Sequence, residues 1–277
     1  MRDNFIFNTQ KNNVLNITIY GLELINKAPC LILVHGFKGF KDWGFFPYTG
    51  EYFAKNGFFV ISFNFSHNGI GEHLTEFTEL DKFANNTISL EVSELVEIIT
   101  AYCDGFFGKI SDTKIGLIGH SRGGAVALLC GSKRAEVKAV STWSAVSNFN
   151  RYTKRQQNEW RKNGFFEVLN SRTKQVMRLN VTLLEDIELN KNDSLNIANA
   201  VSNLNKPLLI AQGDIDLTVP IKEGENIYQW SNKDQSELFI VKSAGHTFDI
   251  VHPFEGSNKK FDSLLNKTNQ FFKTYLN

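Results

Sequence analysis

The chain of 277 residues lacks the sequence features that define several classes of protein. It has three cysteines, Cys30, Cys103 and Cys130, an odd number that lies in or beside apolar segments. This pattern indicates small buried thiols and not a disulfide framework. No apolar run approaches the roughly 18 residues that a membrane-spanning helix needs. The N-terminus also lacks the apolar segment and cleavage site of a secretory signal, so we expect a cytoplasmic protein with no membrane partner.

The charge of the chain is close to balanced, with 30 basic and 29 acidic residues and a formal net charge of +1. Such a balance gives no general attraction to nucleic acid or to anionic membranes, so neither is expected as a partner. The length suits one large domain or at most two small ones. Function must therefore be sought in local motifs.

Short apolar runs alternate with longer segments of helical periodicity. This alternation predicts the α/β class, with a mainly parallel sheet flanked by helices on both faces. Strands are predicted at 14–20, 30–34, 58–63, 114–118, 137–141, 207–212 and 237–241, the first of them antiparallel. Helices are predicted at 48–56, 89–103, 123–130 and 261–275.

The alternation stops between Phe149 and Leu204. This stretch is rich in asparagine and charge, shows short helical patterns without a convincing strand, and is too long for an ordinary connection. We expect a helical cap at 149–204, inserted between two strands of a core formed by 1–148 and 205–277.

The segment 114–124 reads as strand, sharp turn and helix, with Ser121 at the turn and glycine two residues to either side. A nucleophilic serine on such a turn has strained backbone geometry, which requires small neighbours. The helix that follows directs its positive end at the serine, and the backbone N–H of Arg122 is one candidate oxyanion donor. A chance G-x-S-x-G in a glycine-rich turn is the alternative, which the flanking strand and helix disfavour.

A second oxyanion donor is expected after the strand at 30–34, where the chain continues as His35-Gly36-Phe37. The backbone N–H of Phe37 is the candidate, and loss of one such donor typically lowers turnover by about 10²–10³. The alternative is a strand that ends in a glycine turn, with His35 a hydrogen-bonded core histidine. The nearby elbow favours the oxyanion interpretation.

The acid and the base of a serine triad should follow the serine in that order along the chain. Asp214 and Asp216 directly follow the strand at 207–212, and we choose Asp216 because Asp214 is suited to forming the turn; two turn-forming aspartates are the alternative. Of the six histidines, His246 comes directly after a strand with a glycine before it, whereas His252 precedes a proline and is expected at the surface. His246 is therefore the predicted base, oriented by Asp216.

These motifs together resemble the α/β-hydrolase serine esterases. The segment 35–47 (HGFKGFKDWGFFP) is most similar to the bacterial cinnamoyl/feruloyl esterases and their dienelactone-hydrolase-like relatives. The resemblance implies an eight-stranded, mostly parallel sheet and hydrolysis of small carboxylic esters through an acyl-enzyme, with no cofactor. Two positions depart from that pattern: Ser66-His67-Asn68-Gly69 stands where such enzymes often have Arg-Gly-His-Gly, and Arg122 stands where several have glutamine.

Aromatic residues near these motifs are candidates for the wall of a substrate pocket. We predict that Phe37, Phe40, Phe165 and Phe166 line a pocket for the acyl group and that Trp143 borders it, so that all five are candidate substrate-binding residues, although most of the 24 phenylalanines are expected in the core. His67 and His73 flank Glu72 but lack a third ligand at suitable spacing, so no metal is predicted. No phosphate loop or dinucleotide fingerprint is present.

The predicted cap is strongly basic in its first half. Its basic residues between 151 and 178 are Arg151, Lys154, Arg155, Arg161, Lys162, Arg172, Lys174 and Arg178. Such a face would attract an anionic substrate, for example a carboxylated ester or an acyl-CoA; the alternative is a solvated helix face.

Several functions fit the predicted triad. A carboxylic esterase is the leading interpretation, and a thioesterase or a peptidase would use the same residues. A protein that keeps the fold for ligand binding alone is the alternative from another class. A phosphonate probe directed at serine would separate them, because a binding protein with a disordered triad should not label at Ser121.

Overall fold

The computed structural model describes residues 2–73, 75–110, 113–170 and 172–276. Ser171, inside the predicted cap, lies outside the described residues. In these ranges the strands are β1 (Arg2–Asn8), β2 (Val14–Tyr20), β3 (Cys30–Val34), β4 (Phe59–Phe63), β5 (Ile115–His120), β6 (Val137–Trp143), β7 (Phe165–Leu169), β8 (Val176–Asn180), β9 (Leu208–Gly213) and β10 (Ser236–Val241). The α-helices are α1 (Phe46–Lys55), α2 (Leu80–Ala84), α3 (Ile88–Cys103), α4 (Arg122–Lys133), α5 (Lys154–Asn163), α6 (Val181–Asn190), α7 (Ile197–Ser202), α8 (Ile221–Trp230) and α9 (Lys259–Leu276), and Leu22–Leu24 forms a short 3₁₀-helix.

In the described part of the chain, eight strands form one sheet in the order β1-β2-β4-β3-β5-β6-β9-β10. Strand β2 pairs antiparallel with both β1 and β4, and every pair from β4 to β10 is parallel. The mostly parallel, eight-stranded sheet implied by the resemblance is therefore confirmed. Its topology places the carboxyl ends of β3, β5, β6, β9 and β10 along one edge, where ligand sites of open α/β sheets form.

Two apolar layers hold the helices against the sheet. Along β3, Cys30, Ile32 and Val34 pack on one side, and Leu31 and Leu33 on the other. Because successive strand side chains point to opposite faces, a strand covered on both sides is apolar throughout. Helices α3, α4 and α8 cover one face of the sheet, and α1 and α9 cover the other.

The predicted strands and helices of the core correspond to observed elements, with ends that differ by at most three residues and that coincide for β2 and β3. Strand β1 was not predicted. It is an edge strand in which exposed and half-buried residues alternate, and its Ile6 is 64% exposed. A strand with so little burial gives a weak hydrophobic pattern.

The segment 149–204 contains helices α5, α6 and α7, as predicted, but also the antiparallel hairpin β7–β8. The prediction that this segment holds no strand is wrong. Met177 and Leu179 of the hairpin are buried, whereas Glu167 and Arg178 form a cross-strand ion pair on the exposed side. Those charges interrupt the apolar pattern by which a strand is recognised in sequence.

Three further features of the described residues concern their cysteines, the chance of a membrane span and the chance of a metal site. Cys30 and Cys130 are buried free thiols, and Cys103 is a half-buried one. None of the described helices combines the length and apolar character needed to cross a bilayer. Within the same residues, no three histidine, cysteine or acidic side chains are grouped as a metal site would require.

Candidate active site

Ser121 lies on the sharp turn between β5 and α4, with φ 57° and ψ −123°. This conformation is strained for a residue with a side chain and persists only where the surroundings impose it. A Cβ atom at Gly119 would lie 2.4 Å from the carbonyl oxygen of Gly123, and one at Gly123 would lie 2.3 Å from the carbonyl oxygen of His35. Both positions therefore require glycine, and the turn has the strand–turn–helix geometry of a nucleophile elbow.

The structure brings Ser121, His246 and Asp216 together in one hydrogen-bonded chain. The Nε2 atom of His246 is 3.1 Å from the Ser121 hydroxyl, and its Nδ1 atom is 2.8 Å from the Asp216 carboxylate. The Asp216 side chain is fully buried, while 19% of the His246 side chain is exposed. With the proton on Nδ1, His246 donates to Asp216 and accepts from Ser121, which is the arrangement needed for general-base catalysis.

The Asp216 carboxylate is held by its own loop. Its Oδ1 atom accepts hydrogen bonds from the backbone N–H groups of Thr218 and Val219, both at 2.8 Å, and its Oδ2 atom faces His246. Burial raises the pKa of Asp216, but the hydrogen bond and charge of His246 and the two backbone donors outweigh burial, so the net pKa is below the ordinary value. The residue is therefore ionised and able to orient the imidazole.

Asp214, the other acid of this loop, has a separate environment. Its carboxylate accepts from the backbone N–H of Ser243 at 2.5 Å and lies 3.6 Å from the Lys242 ammonium. It thus joins two loops at the edge of the sheet and does not contact His246 in these hydrogen bonds. The turn-forming role that the sequence suggested for Asp214 does not appear in these bonds, and it is Asp216 that accepts from the backbone of its own turn.

The turn after β3 packs directly against the elbow. A Cβ atom at Gly36 would lie 2.9 Å from the Cβ atom of Ser121 and 3.4 Å from the backbone nitrogen of Arg122. Only glycine permits this approach, which brings the turn carrying the Phe37 N–H beside the serine. Arg122 is the first residue of α4, and the first N–H groups of a helix have no acceptor within it. The oxyanion donors predicted from the sequence thus lie on adjoining turns.

Two buried histidines support these turns as neutral imidazoles. Burial lowers the pKa of His35 to about 4; its Nε2 atom accepts from the N–H of Phe65, so its Nδ1–H donates to the carbonyl of Gly36. Burial, together with the nearby His246, lowers the pKa of His120 to about 3. The Nε2–H of His120 donates to the carbonyl of His246 at 3.0 Å and so holds the backbone of the base. Sequence reasoning gave His120 no role, although it adjoins Ser121.

A cavity of about 470 Å³ opens over Ser121. Aromatic and aliphatic side chains form much of its wall: Phe37, Trp43, Phe46, Ile88, Val146, Phe149, Tyr152, Leu183 and Ile187. The last four of these come from the segment 149–204. That segment therefore contributes to the wall of the cavity.

Of the aromatic residues predicted to line the acyl pocket, Phe37 is part of this wall, whereas Phe40, Trp143, Phe165 and Phe166 are not. Phe40 is fully buried, and Trp143 packs into the opposite layer, where its indole N–H donates to Thr268 of α9. Phe165 and Phe166 pack within the 149–204 segment, against Arg178 and against Trp160 respectively. These assignments are corrected because the core and the cap interior take up the four rings.

His252 lines the cavity although it was not predicted to do so. The sequence predicts it at the surface, and the structure places it in the cavity wall. It is half-buried, its ring stacks on Trp43 at a centroid distance of 5.9 Å, and its Nδ1 atom accepts from the N–H of Gly44 at 2.9 Å. Nothing in the local sequence indicates these contacts, because the partners lie about 210 positions earlier in the chain.

Arg122 joins the elbow to helix α3. Its guanidinium donates to the buried Glu91 carboxylate at 2.6 Å and lies over the Phe37 ring, 4.6 Å from the centroid. Burial raises the pKa of Glu91, and the charge of Arg122 offsets part of this effect. Arg122, which stands where several of the resembled esterases have glutamine, therefore links the elbow to the turn after β3. These two turns carry the candidate oxyanion donors.

The predicted basic face divides into separate groups in the structure. Arg155, Arg161 and Arg178 pair with nearby glutamates on the surface. Only Arg151 and Arg172 of the eight basic residues reach the cavity wall. The single basic face expected from the sequence is thus not formed.

Several solved structures similar to this chain are named as hydrolases or esterases. The α/β-hydrolase GrgF from Penicillium sp. sh18 is 18% identical with a TM-score of 0.76, and the alignment covers 99% of each chain. Est1E from Butyrivibrio proteoclasticus, solved with bound ferulic acid, is 16% identical with a TM-score of 0.73 over 98% of this chain and 99% of the other. An esterase from Pyrococcus furiosus is 18% identical with a TM-score of 0.68 over 100% of this chain and 91% of the other. At these identities the likeness establishes the fold.

Among proteins of curated function, none matches this sequence. The model of the prolyl oligopeptidase family (Peptidase_S9) matches residues 43–277, which is well over half of the chain. The protein is a serine hydrolase of the α/β-hydrolase fold. By the extent of that match, the chain belongs to the prolyl oligopeptidase family.

Proposed function

We propose that this protein hydrolyses carboxylic esters through an acyl-enzyme, with Ser121 as nucleophile, His246 as general base and acid, and Asp216 as the group that orients His246. The observation that carries the proposal is the continuous chain from the Ser121 hydroxyl to His246 Nε2 (3.1 Å) and from His246 Nδ1 to the Asp216 carboxylate (2.8 Å). Each of the three positions holds a chemically competent residue at hydrogen-bonding distance.

In the first half-reaction, the Ser121 oxygen attacks the ester carbonyl carbon while His246 Nε2 takes the hydroxyl proton. The carbonyl oxygen becomes an oxyanion, which the backbone N–H groups of Phe37 and Arg122 stabilise, with the N-terminus of α4 directed at the same position. His246 then gives its proton to the departing alkoxide. The alcohol leaves, and the acyl group remains as an ester of Ser121.

In the second half-reaction, water replaces the alcohol. His246 takes a proton from the water as its oxygen attacks the acyl carbon, and the same donors stabilise the second oxyanion. Collapse of this intermediate breaks the bond to Ser121, whose oxygen recovers the proton from His246. The products are a carboxylic acid and the free enzyme, and neither half-reaction needs a cofactor.

Small to medium acyl groups, including feruloyl and cinnamoyl groups, are the proposed substrates. The cavity of about 470 Å³ falls within the range of sites for small molecules. The similarity in fold to Est1E, which binds ferulic acid, supports an aromatic acyl group. We further propose that 149–204 acts as a cap, because it supplies a large share of the apolar wall over Ser121.

The test is hydrolysis of 4-nitrophenyl esters from acetate to decanoate, and of a feruloyl ester, by the wild type and by Ser121→Ala. Loss of about 10³-fold or more in kcat supports the proposal, since removing a triad nucleophile costs at least this much. Ser132→Ala is the matched control, because that hydroxyl lies on the same helix α4 and bonds to the carbonyl of Leu129. Equal activity of Ser121→Ala and wild type would refute the assignment.

Peptide hydrolysis is the second candidate, because the family match is to a family of peptidases. A prolyl 4-nitroanilide tests this candidate, because it has an amide in place of the ester. Its hydrolysis releases a coloured leaving group, 4-nitroaniline, as the esters release 4-nitrophenol. A ratio of kcat/KM that favours the anilide over every ester would replace the esterase proposal with a peptidase. Hydrolysis of the esters alone would retain it.

A further inference from the structure

The charge of the cavity wall is one-sided. Its titratable residues other than histidine and tyrosine are Lys38, Arg122, Arg151 and Arg172, and no aspartate or glutamate is among the described residues that line it. A chain with almost equal numbers of acids and bases thus presents only cations to the space above Ser121. Such a concave, partly apolar site focuses a positive potential on its ligand.

Two of these cations are already neutralised. Arg122 forms its ion pair with the buried Glu91 at 2.6 Å. Arg151 donates to the carbonyl of Thr218 at 2.6 Å and lies 3.9 Å from the Glu223 carboxylate. These two side chains therefore stabilise the loops around the cavity and contribute little net charge to it.

Lys38 and Arg172 lie near each other, and no acidic partner for either is found within the described residues. The Lys38 ammonium donates to the carbonyl of Leu169 at 3.2 Å, which leaves further N–H donors free. The Arg172 guanidinium lies 5.7–5.9 Å from the ring centroids of Phe40, Trp43 and Phe77, which support it from the protein side. The carbonyl that Lys38 bonds belongs to Leu169, three positions before Arg172, and burial and the charge of Arg172 lower the pKa of Lys38.

His252 adds a hydrogen-bond donor to the same group. Its Nδ1 atom accepts from the N–H of Gly44, so the neutral ring carries its proton on Nε2. Burial and the charge of Arg172 lower the pKa of His252, which keeps the ring neutral. Lys38, Arg172 and His252 all line the cavity and all offer donors, and we call them the cationic subsite.

We propose that the cationic subsite binds an oxyanion group, a carboxylate or a phosphate, on the part of the substrate remote from the bond that is cleaved. This inference rests on the proposed function and specifies its substrate class as anionic esters. A planar guanidinium beside an ammonium and an imidazole N–H supplies the charge and the hydrogen bonds that such a group requires. The apolar wall binds the chain that connects the anion to the ester.

Three esters of similar size test the charge preference: the 4-nitrophenyl half-ester of adipic acid, its neutral methyl ester, and 4-nitrophenyl 5-phosphonopentanoate. For the wild type at low salt, kcat/KM should be at least about tenfold higher for an anionic ester than for the neutral one, the equivalent of one charge-assisted hydrogen bond. Rising ionic strength should reduce that preference. The better of the two anions identifies the carboxylate or the phosphate as the natural group.

Variants assign the preference to the subsite. Arg172→Gln and Lys38→Gln should each lower the ratio of anionic to neutral kcat/KM by about tenfold. Lys174→Gln is the matched control, because Lys174 is an exposed cation on the same connection as Arg172 and is not part of the cavity wall. It should keep the wild-type ratio. Thermal unfolding of each variant checks that the fold is intact.

Binding separates failure of this inference from failure of the proposed function. Calorimetry on Ser121→Ala measures the affinity for each intact ester without turnover. Preferential binding of an anionic ester that is lost in Ser121→Ala/Arg172→Gln supports the subsite even if the wild type hydrolyses no ester. Hydrolysis by the wild type with equal kcat/KM for the charged and neutral esters, unchanged by Arg172→Gln, would overturn the subsite and leave the esterase proposal standing.

Discussion

Replacing Asp216 with asparagine is expected to reverse the tautomer of His246. The Oδ1 atom of Asp216 accepts from two backbone N–H groups, those of Thr218 and Val219, at 2.8 Å, whereas Oδ2 faces His246 Nδ1 and takes one longer hydrogen bond, at 3.3 Å, from the side-chain amide of Gln212. In asparagine, the oxygen must stay with the two backbone donors, since an amide NH₂ there would confront both. The NH₂ group then points at Nδ1, which must become an acceptor, and the imidazole proton moves to Nε2.

The size of the effect follows from that proton. With Nε2 protonated, the ring donates to the Ser121 hydroxyl 3.1 Å away and cannot remove its proton. We expect kcat to fall by about 10⁴, the loss seen when a triad aspartate becomes asparagine. This corresponds to about 5.5 kcal/mol in activation free energy. KM should change little, because Asp216 is not part of the cavity wall.

Steady-state hydrolysis of a 4-nitrophenyl ester measures both constants. Asp214→Asn is the matched control, since it makes the same chemical change in the same loop but at a carboxylate bonded to Ser243 and Lys242. Its kcat should stay within about tenfold of wild type. An Asp216→Asn enzyme that also stays within tenfold would refute both the tautomer argument and the assignment of Asp216.

Three further substitutions test the support around the site. Glu91→Gln leaves the guanidinium of Arg122 without its buried counter-charge, so urea denaturation should show a loss of about 3 kcal/mol; a loss under about 1 kcal/mol would contradict this. Burial raises the pKa of Glu94 to about 7 from 4.5, so the folded chain keeps a proton that the unfolded chain releases. Stability should therefore fall as pH rises from about 4.5 to 7, and Glu94→Gln should remove that slope; an unchanged slope would disprove it. Gly123→Ala puts a Cβ atom 2.3 Å from the His35 carbonyl oxygen, so both the melting temperature and esterase activity should drop, and wild-type values of both would contradict the packing argument.

The parts of the candidate site that could be predicted from sequence are those encoded within a few consecutive residues. The elbow is one example, because Gly119 packs on Gly123 and Gly124 of the same strand–turn–helix unit, and Gly123, whose space is limited by His35 of the neighbouring turn, belongs to the same five-residue motif. Asp216 and His246 were identified from their positions after strands, since parallel strands bring their carboxyl ends to one edge of the sheet. The structure brings these residues into contact, and their catalytic roles stay predictions.

The wall of the pocket could not be predicted, because the direction of a side chain depends on packing far away in sequence. Phe37 and Phe40 are three positions apart in one loop, yet the first lines the cavity and the second is fully buried. His252 enters the wall only because it bonds to Gly44 and stacks on Trp43. The local order of apolar and polar residues would be the same whether these side chains faced the cavity or the core.

The charge of the cavity could not be predicted from sequence either. It depends on which cations have an acidic partner more than on the number of cations. The sequence shows a run of basic residues in the cap, but exposed ion pairs such as Arg155–Glu159 contribute little to stability and leave little free charge. Lys38 comes from the turn after β3, more than a hundred residues before Arg172, and the two become neighbours only when the hairpin β7–β8 covers the site. The anion preference that we propose therefore depends on the contact between the turn after β3 and the segment 149–204, and substitutions that separate them should weaken it even where every cation is kept.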